Sequence, residues 1–180
     1  MKIKNKIVLV IIFLLITIEQ VIKIVINNNF LNRKVPILPP FLYFQPMFNR
    51  DYSWFNSMFQ LNVGKWIHVA LVAFMIISIY LFYKYLNKQL MTNKMINCMF
   101  VFIFSGAMCS LIDKVLWNGS LDYIFVNGFF TFDLKDVYID IFIGLLIVSL
   151  IFENKVVKQV NDNNILKDFI KYILPKHKSK

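Results

Sequence analysis

Residues 105–124 read SGAMCSLIDKVLWNGSLDYI, and they decide the fold because they join an apolar helix to a polar loop. The stretch carries two carboxylates, Asp113 and Asp122. A second acidic segment, residues 132–136 (FDLKD), follows it and leads into another apolar run. Carboxylates delivered from opposite sides of a short loop favour acid–base chemistry there. The rest of the chain is interpreted as the scaffold that holds these groups.

The composition is that of a membrane protein. The chain has 180 residues, of which 58% are hydrophobic and 17% aromatic, whereas soluble domains average roughly 45–50% apolar residues. Its formal charge is +10, but the lysines lie at the ends of apolar runs. This arrangement favours contact with anionic lipid over binding to nucleic acid. Cys98 and Cys109 lack metal-ligand spacing, so we interpret them as small apolar side chains.

Four apolar runs predict an all-α integral membrane protein with one membrane domain over residues 1–180. A spanning helix needs about 20 apolar residues. The first run is too long and too polar for a cleavable signal peptide, so we predict that it is retained. The predicted spanning helices cover residues 7–26, 66–85, 95–117 and 136–152.

Lysines set the predicted orientation. The link after the second helix carries Lys84, Lys88 and Lys94, and residues 153–180 form a basic tail. Both are therefore predicted to be cytoplasmic, with both termini inside. Within the tail, residues 165–174 are predicted to form a short surface helix on anionic lipid.

Two segments then lie outside, residues 27–65 and 118–135. The first is rich in proline and aromatic residues, which is typical of the membrane interface. It either covers a lipid-linked substrate or is an interfacial loop without a ligand. In the second, Asn118-Gly119 predicts a turn.

Polar residues inside two of the helices indicate a buried site. Glu19 and Lys23 are spaced i,i+4, so they share a helix face and form either an ion pair at the helix end or a polar strut under a site. In the third helix, Asp113 is predicted to point inward with Lys114 beside it. Small residues on the same face favour close approach of a neighbouring helix; this face comprises Gly106, Cys109, Ser110, Asp113 and Trp117.

These residues resemble the lipoprotein signal peptidases (signal peptidase II), membrane aspartyl proteases of bacteria. The third helix of that family reads roughly G-G-A-x-G-N-L-I-D-R, followed by G-x-V-V-D-F-I. Here residues 105–114 read SGAMCSLIDK and residues 120–124 read SLDYI. The family's F-N-x-A-D-x-x-I corresponds to residues 132–139, FDLKDVYI, and its D-Q-x-x-K to residues 19–23, EQVIK. Its first-loop motif N-x-G-A-x-F has only a remnant, at Asn49 and residues 54–55.

The resemblance implies an enzyme of the bacterial cytoplasmic membrane that cuts lipid-modified prolipoproteins beside the diacylglyceryl cysteine. It implies a catalytic dyad of Asp122 and Asp136, with no metal or organic cofactor. The expected partners are the prolipoprotein substrate and membrane lipid, and we expect a monomer. Supporting positions fall on Glu19, Lys23, Asn49, Asp113, Lys114 and Asp133.

Several residues depart from the family pattern. Ser110 stands in place of Asn, Lys114 in place of Arg and Glu19 in place of Asp. Asp133 and Lys135 replace Asn and Ala, which puts a new acid and a new cation beside Asp136. Two further hypotheses therefore stay open: an inactive relative that acts as a scaffold or binding partner, and a small transporter or channel with a proton path through its acids.

We expect cysteine-accessibility labelling to confirm the orientation, because lysine-rich links stay in the cytoplasm. In a variant with both native cysteines replaced, Lys88→Cys should react with an impermeant thiol reagent only after the cells are opened. Asn62→Cys, in the first outer segment, is the matched control and should react in intact cells. Labelling of Lys88→Cys from outside would contradict the topology and the assignment of the site to the outer side.

Overall fold

The computed structural model describes residues 2–89, 94–152 and 165–173. Part of the predicted cytoplasmic link and most of the predicted basic tail lie outside these residues. The helices within them are α1 (Lys2–Asn29), α2 (Trp54–Met58), α3 (Lys65–Gln89), α4 (Lys94–Ile112), α5 (Leu134–Ile151) and α6 (Ile165–Ile173).

Each of the four predicted apolar runs is a helix. Among the described residues, three windows are long and apolar enough to cross a membrane: Lys6–Asn29, Lys65–Lys88 and Lys94–Trp117. The fourth run, α5, has 18 residues, a length of about 27 Å at the α-helical rise. Its first two turns carry Lys135, Asp136 and Asp140, so its role as a spanning helix stays a prediction.

A small sheet corrects the all-α prediction. Its four strands form an antiparallel array in the order β1-β2-β3-β4, built from the two segments that were predicted to be outer loops. The strands are β1 (Val35–Leu38), β2 (Leu42–Asn49), β3 (Ser120–Val126) and β4 (Thr131–Phe132).

The sheet accommodates two prolines of the first of these segments. Pro36 lies in β1, which is an edge strand. Pro46 lies where the register between β2 and β3 shifts, between Phe44 and Met47. Edge strands and bulges are the places where a missing backbone N–H costs little, so aromatic-rich segments with proline can still pair.

The register of β2 and β3 places the acidic stretch. Met47 pairs with Asp122 and Asn49 with Ser120. The sheet packs on the C-terminal end of α1 through a core of Ile26, Leu121 and Tyr123. Burial of these apolar side chains holds the sheet over the helix ends.

The predicted helix over residues 95–117 changes character before its end. α4 stops at Ile112, and Asp113–Trp117 form a π-helical turn. Asn118 is left-handed, with φ 53°, and Gly119 has φ 148°. A Cβ on Gly119 would lie 2.6 Å from the carbonyl oxygen of Asn49. The predicted Asn-Gly turn is therefore confirmed, and it needs glycine at its second position.

Gly106 lets α4 and α5 approach closely, as the small residues of α4 predict. A Cβ at this position would lie 2.8 Å from Ile139 Cγ1 and 3.1 Å from the Lys135 carbonyl oxygen. Lys135 lies in the first turn of α5, so this contact also sets the position of the acidic segment against α4.

The predicted short helix of the tail is confirmed as α6 (Ile165–Ile173). Its aromatic side chains pack near the C-terminal end of α3: Phe169 lies 5.2 Å from Phe82, and Tyr172 lies 5.6 Å from Tyr85, between ring centroids. Contact of α6 with anionic lipid stays a prediction.

We predict that Gly106→Ala lowers the thermal stability of the purified protein, because the new methyl group overpacks the α4–α5 contact, at a cost of about 1–3 kcal/mol. The matched control is Gly144→Ala in α5, where an added Cβ meets nothing within 4 Å. That change should be neutral or stabilising, because alanine favours a helix over glycine. Equal unfolding temperatures for the two variants would contradict this packing.

Candidate active site

Charged side chains from four elements meet below the sheet. They come from the C-terminal half of α1, the π-helical turn, β3 and the start of α5. We call this group the acid–lysine cluster; it comprises Glu19, Lys23, Asp113, Lys114, Asp122, Asp133, Lys135 and Asp136. All of its members except Asp136 are buried.

Lys23 is the centre of the inner half of the cluster. Its Nζ lies 2.9 Å from Glu19 Oε1, 2.6 Å from Asp113 Oδ2 and 2.7 Å from Asp133 Oδ2. All four side chains are 0% exposed. The i,i+4 pair of Glu19 and Lys23 predicted from the sequence is therefore present, and it is extended by two further carboxylates. A buried charge needs such partners to offset its desolvation.

Lys135 is the centre of the outer half. Its Nζ makes its closest contact with Asp133 Oδ2 and lies 2.7 Å from Ser120 Oγ. It is 3.4 Å from Asp122 Oδ1 and 3.8 Å from Asp136 Oδ2. One ammonium thus reaches both carboxylates of the predicted dyad.

The two predicted catalytic carboxylates face one another. Asp122, Asp133 and Asp136 each offer an oxygen within 4.8 Å of the others. The Asp122 side chain is 8% exposed, whereas that of Asp136 is 39% exposed. Burial raises the pKa of Asp122, while the charge of Lys135 acts in the opposite direction.

Asp133 begins α5 with a capping box. Its Oδ1 accepts a hydrogen bond from the Asp136 backbone N–H at 3.3 Å, and its own N–H donates to Asp136 Oδ2 at 3.2 Å. Burial alone would raise the pKa of Asp133, but Lys135 and Lys23 outweigh it and hold the pKa below its usual range. The hydrogen bond from the Asp133 N–H to Asp136 Oδ2 fixes the direction of the Asp136 carboxylate.

A cavity of about 490 Å³ opens beside the dyad. Its lining includes the charged side chains of Asp122, Asp136, Lys135 and Lys114 together with several aromatic side chains. The lining residues are Asn49, Tyr52, Ser53, Trp54, Ser110, Lys114, Ser120, Asp122, Phe130, Thr131, Phe132, Lys135 and Asp136.

The remaining supporting residues lie at the edges of the site. Asn49 lines the cavity, and its Oδ1 accepts from the Asp51 backbone N–H at 3.1 Å. Lys114 donates from Nζ to Ser110 Oγ at 2.8 Å, so two of the departures from the family pattern contact one another.

Sequence reasoning missed Ser120. Its Oγ lies 2.6 Å from Asp122 Oδ1, 3.1 Å from Asp113 Oδ2 and 3.3 Å from Asp133 Oδ2. The side-chain period of a strand would have found it, because residues 120 and 122 share one face. Tyr123 was also missed; its Oη accepts from the Leu134 backbone N–H at 3.1 Å, at the start of α5.

Two carboxylate trios could in principle ligate a metal ion: Glu19 with Asp113 and Asp133, and Asp122 with Asp133 and Asp136. The ammonium of Lys23 contacts all three acids of the first trio. Lys135 contacts all three acids of the second. Lysine thus already supplies positive charge to both trios.

Together, these features define a predominantly helical protein of membrane type, with a carboxylate-lined cavity under a small sheet. Residues 11–152 match the family model described as Signal peptidase (SPase) II. The chain is 32% identical over 124 residues to the lipoprotein signal peptidase of Psychromonas ingrahamii (strain DSM 17664 / CCUG 51855 / 37), covering 66% of this chain and 68% of that protein. The chain therefore belongs to the signal peptidase II family.

Solved structures support the fold. Two of them, described as bacterial membrane enzymes determined by the in meso method at 2.3 and 1.9 Å resolution, match with a TM-score of 0.64 and 21% identity each. The match to the first covers 88% of this chain and 92% of the solved chain, and the match to the second covers 79% of this chain and 91% of the solved chain. At this identity the likeness concerns the fold alone.

We predict that Lys23→Met reduces the yield of folded protein more than the turnover of the protein that folds. The change leaves three buried carboxylates without their common cation, and breaking a buried pair costs about 3–5 kcal/mol. The yield of monodisperse protein after size-exclusion chromatography measures the effect. Lys65→Met is the control, because that lysine donates to the Val115 carbonyl at 3.3 Å outside the cluster. Normal yield with abolished turnover would instead give Lys23 a chemical role.

Proposed function

We propose that this chain is a membrane aspartic endopeptidase that removes signal peptides from lipid-modified prolipoproteins. The scissile bond lies beside the diacylglyceryl cysteine, at the outer surface of the bacterial cytoplasmic membrane. The observation that carries the proposal is the approach of Asp122 and Asp136, whose oxygens come within 4.8 Å in one cavity. Membership of the signal peptidase II family supplies the substrate class.

The proximity of the two carboxylates provides the mechanism. Two acids this close cannot both ionise without a large cost, so the pair holds one proton over a range of pH. The ionised carboxylate takes a proton from water, which attacks the scissile carbonyl carbon. The protonated carboxyl polarises the carbonyl oxygen, and the proton finally passes to the leaving amine. Such a pair titrates as a unit, so a bell-shaped pH profile is expected.

The supporting residues act by position. Glu19, Lys23 and Asp113 tie α1 to the π-helical turn below the dyad. Asp133 directs Asp136 through the capping box. Asn49 and Lys114 line the cavity, and both are candidate contacts for the substrate backbone.

The aromatic wall suits a lipid-linked substrate. Tyr52, Trp54 and Phe130 line the same cavity as the carboxylates, and Trp54 is 53% exposed. Aromatic side chains of this kind sit at the boundary between lipid and water. The wall therefore keeps the lipid-modified cysteine at the membrane surface while the peptide bond reaches the dyad.

The proposed membrane arrangement follows from the site. α1, α3, α4 and α5 span the membrane as one domain with both termini in the cytoplasm, and residues 153–180 form a cytoplasmic tail. The sheet and the cavity then lie on the outer side. We propose that the chain works as a monomer, because one chain carries both carboxylates.

One observation favours a second candidate, a relative that binds prolipoproteins without cutting them. The Lys135 ammonium lies near both carboxylates, and a cation at that place favours loss of the shared proton. A pair that is fully ionised at neutral pH would bind a peptide without polarising its carbonyl.

We predict that Asp122→Asn and Asp136→Asn each abolish cleavage of a diacylglyceryl prolipoprotein by the purified protein, at least about a thousandfold, because the acid–base pair is lost. Asparagine keeps the shape, so both variants should insert and elute as the wild type does. Asp140→Asn, one turn further along α5, is the matched control and should still cleave. Equal cleavage by Asp122→Asn would refute the dyad; no cleavage by the wild type, with substrate still bound, would favour the binding protein.

A further inference from the structure

The cluster contains two charges that the motif of the family does not contain, and they contact one another. Asp133 and Lys135 stand where that motif has Asn and Ala. Their side chains make the closest contact of the cluster, between Lys135 Nζ and Asp133 Oδ2. Ser120, at a position where the motif has Val, lies between them and the dyad, 2.7 Å from the ammonium and 2.6 Å from Asp122 Oδ1. Three departures that look independent in the sequence thus meet at one point.

Counted as formal charges, the lysines and the acids of the cluster balance once the dyad is set aside. Lys23, Lys114 and Lys135 are matched by three acids, Glu19, Asp113 and Asp133. Adding Asp133 and Lys135 together to the family pattern therefore leaves the net charge beside the dyad unchanged. Adding either residue alone would change that charge by one unit in a buried site, where screening by solvent is weak.

Within the described part of the chain, the charged groups that face Lys135 come from four elements. From α1 come Glu19 and Lys23, and from the π-helical turn come Asp113, at 3.5 Å, and Lys114. From β3 comes Asp122, and from the start of α5 come Asp133 and Asp136. The ammonium is thus shared between the acid that compensates it and the two acids of the dyad.

We propose that Lys135 and Asp133 are a compensated pair of positioning residues that sets the pH range over which the dyad works. The ammonium of Lys135 favours the ionised carboxylates of the dyad. The negative charge of Asp133 partly offsets this electrostatic effect. This inference rests on the proposed function of Asp122 and Asp136 as an acid–base pair.

The pair predicts opposite shifts for its two single variants. Lys135→Met removes a positive charge, so both limbs of the pH profile of kcat/KM move to higher pH, by about one to three pH units. Asp133→Asn removes the negative charge that compensates Lys135, so both limbs move to lower pH. The double variant Asp133→Asn/Lys135→Met restores the net charge, and its limbs return towards the wild-type positions.

The design separates electrostatics from folding. Asn is as good an N-cap as Asp, so Asp133→Asn keeps the capping hydrogen bond of α5 while it removes the charge that pairs with Lys135 and Lys23. Lys135→Arg keeps the charge, and its limbs stay at the wild-type pH whatever its rate. A merely structural role would lower kcat/KM equally at every pH without moving either limb. If Lys135→Met does not fold, two distinct predictions remain: the limbs of Asp133→Asn move to lower pH, and those of the double variant stay near the wild-type positions.

The experiment measures kcat/KM against pH for the five proteins in lipid nanodiscs, using a synthetic diacylglyceryl prolipoprotein peptide. In parallel, infrared difference spectroscopy follows the protonated-carboxyl band that Asp122→Asn removes, and this readout needs no cleavage. Opposite shifts of the singles, cancelled in the double, support the pair. The proposal is overturned if neither single variant moves the limbs of the pH profile or the pH at which the carboxyl band disappears. If the wild type cleaves nothing but the pH at which this band disappears moves as predicted in the variants, the result supports the pair and refutes the proposed peptidase.

Discussion

The buried ammonium of Lys23 is the interaction on which the site depends. It joins α1 to the π-helical turn through Asp113 and to the start of α5 through Asp133. These contacts connect residues far apart in the chain, 90 positions for Lys23 and Asp113. Removing water from four charged groups is costly, and only their mutual contact repays it. Because the buried charges need all of their partners at once, the helix ends that carry them are held in one relative arrangement.

The sheet converts that arrangement into a cavity. β3 leaves the π-helical turn through Asn118 and Gly119, whose positive φ angles reverse the chain. Pairing with β2 then sets Asp122 opposite Met47 and lays the sheet over the C-terminal end of α1. A flexible loop would expose the carboxylates to water, which would weaken every electrostatic effect between them. The sheet keeps Asp122 buried and leaves Asp136 at the open side.

Much of this could be predicted from the sequence, because the strongest signals are local. Apolar runs give the helices, and the i,i+4 spacing of Glu19 and Lys23 gives their ion pair. The acidic segments flanking one turn indicate where the site lies. The sheet could not be predicted in the same way, since prolines mask strands whose partners are distant in the chain. Edge and bulge positions tolerate proline, but only the register shows that Pro36 and Pro46 occupy them.

Lys135 shows why site residues are harder to predict than the site itself. From the sequence, a lysine beside Asp136 reads as a disturbance of a shared proton. The structure adds the compensating carboxylate, because the cap geometry of Asp133 turns its side chain back towards the cluster. An acid and an asparagine cap a helix equally well, so the charge at position 133 could change without altering the backbone. The local rule for starting a helix thus leaves the charge at position 133 undetermined, and the contact with Lys135 shows how both buried charges are accommodated.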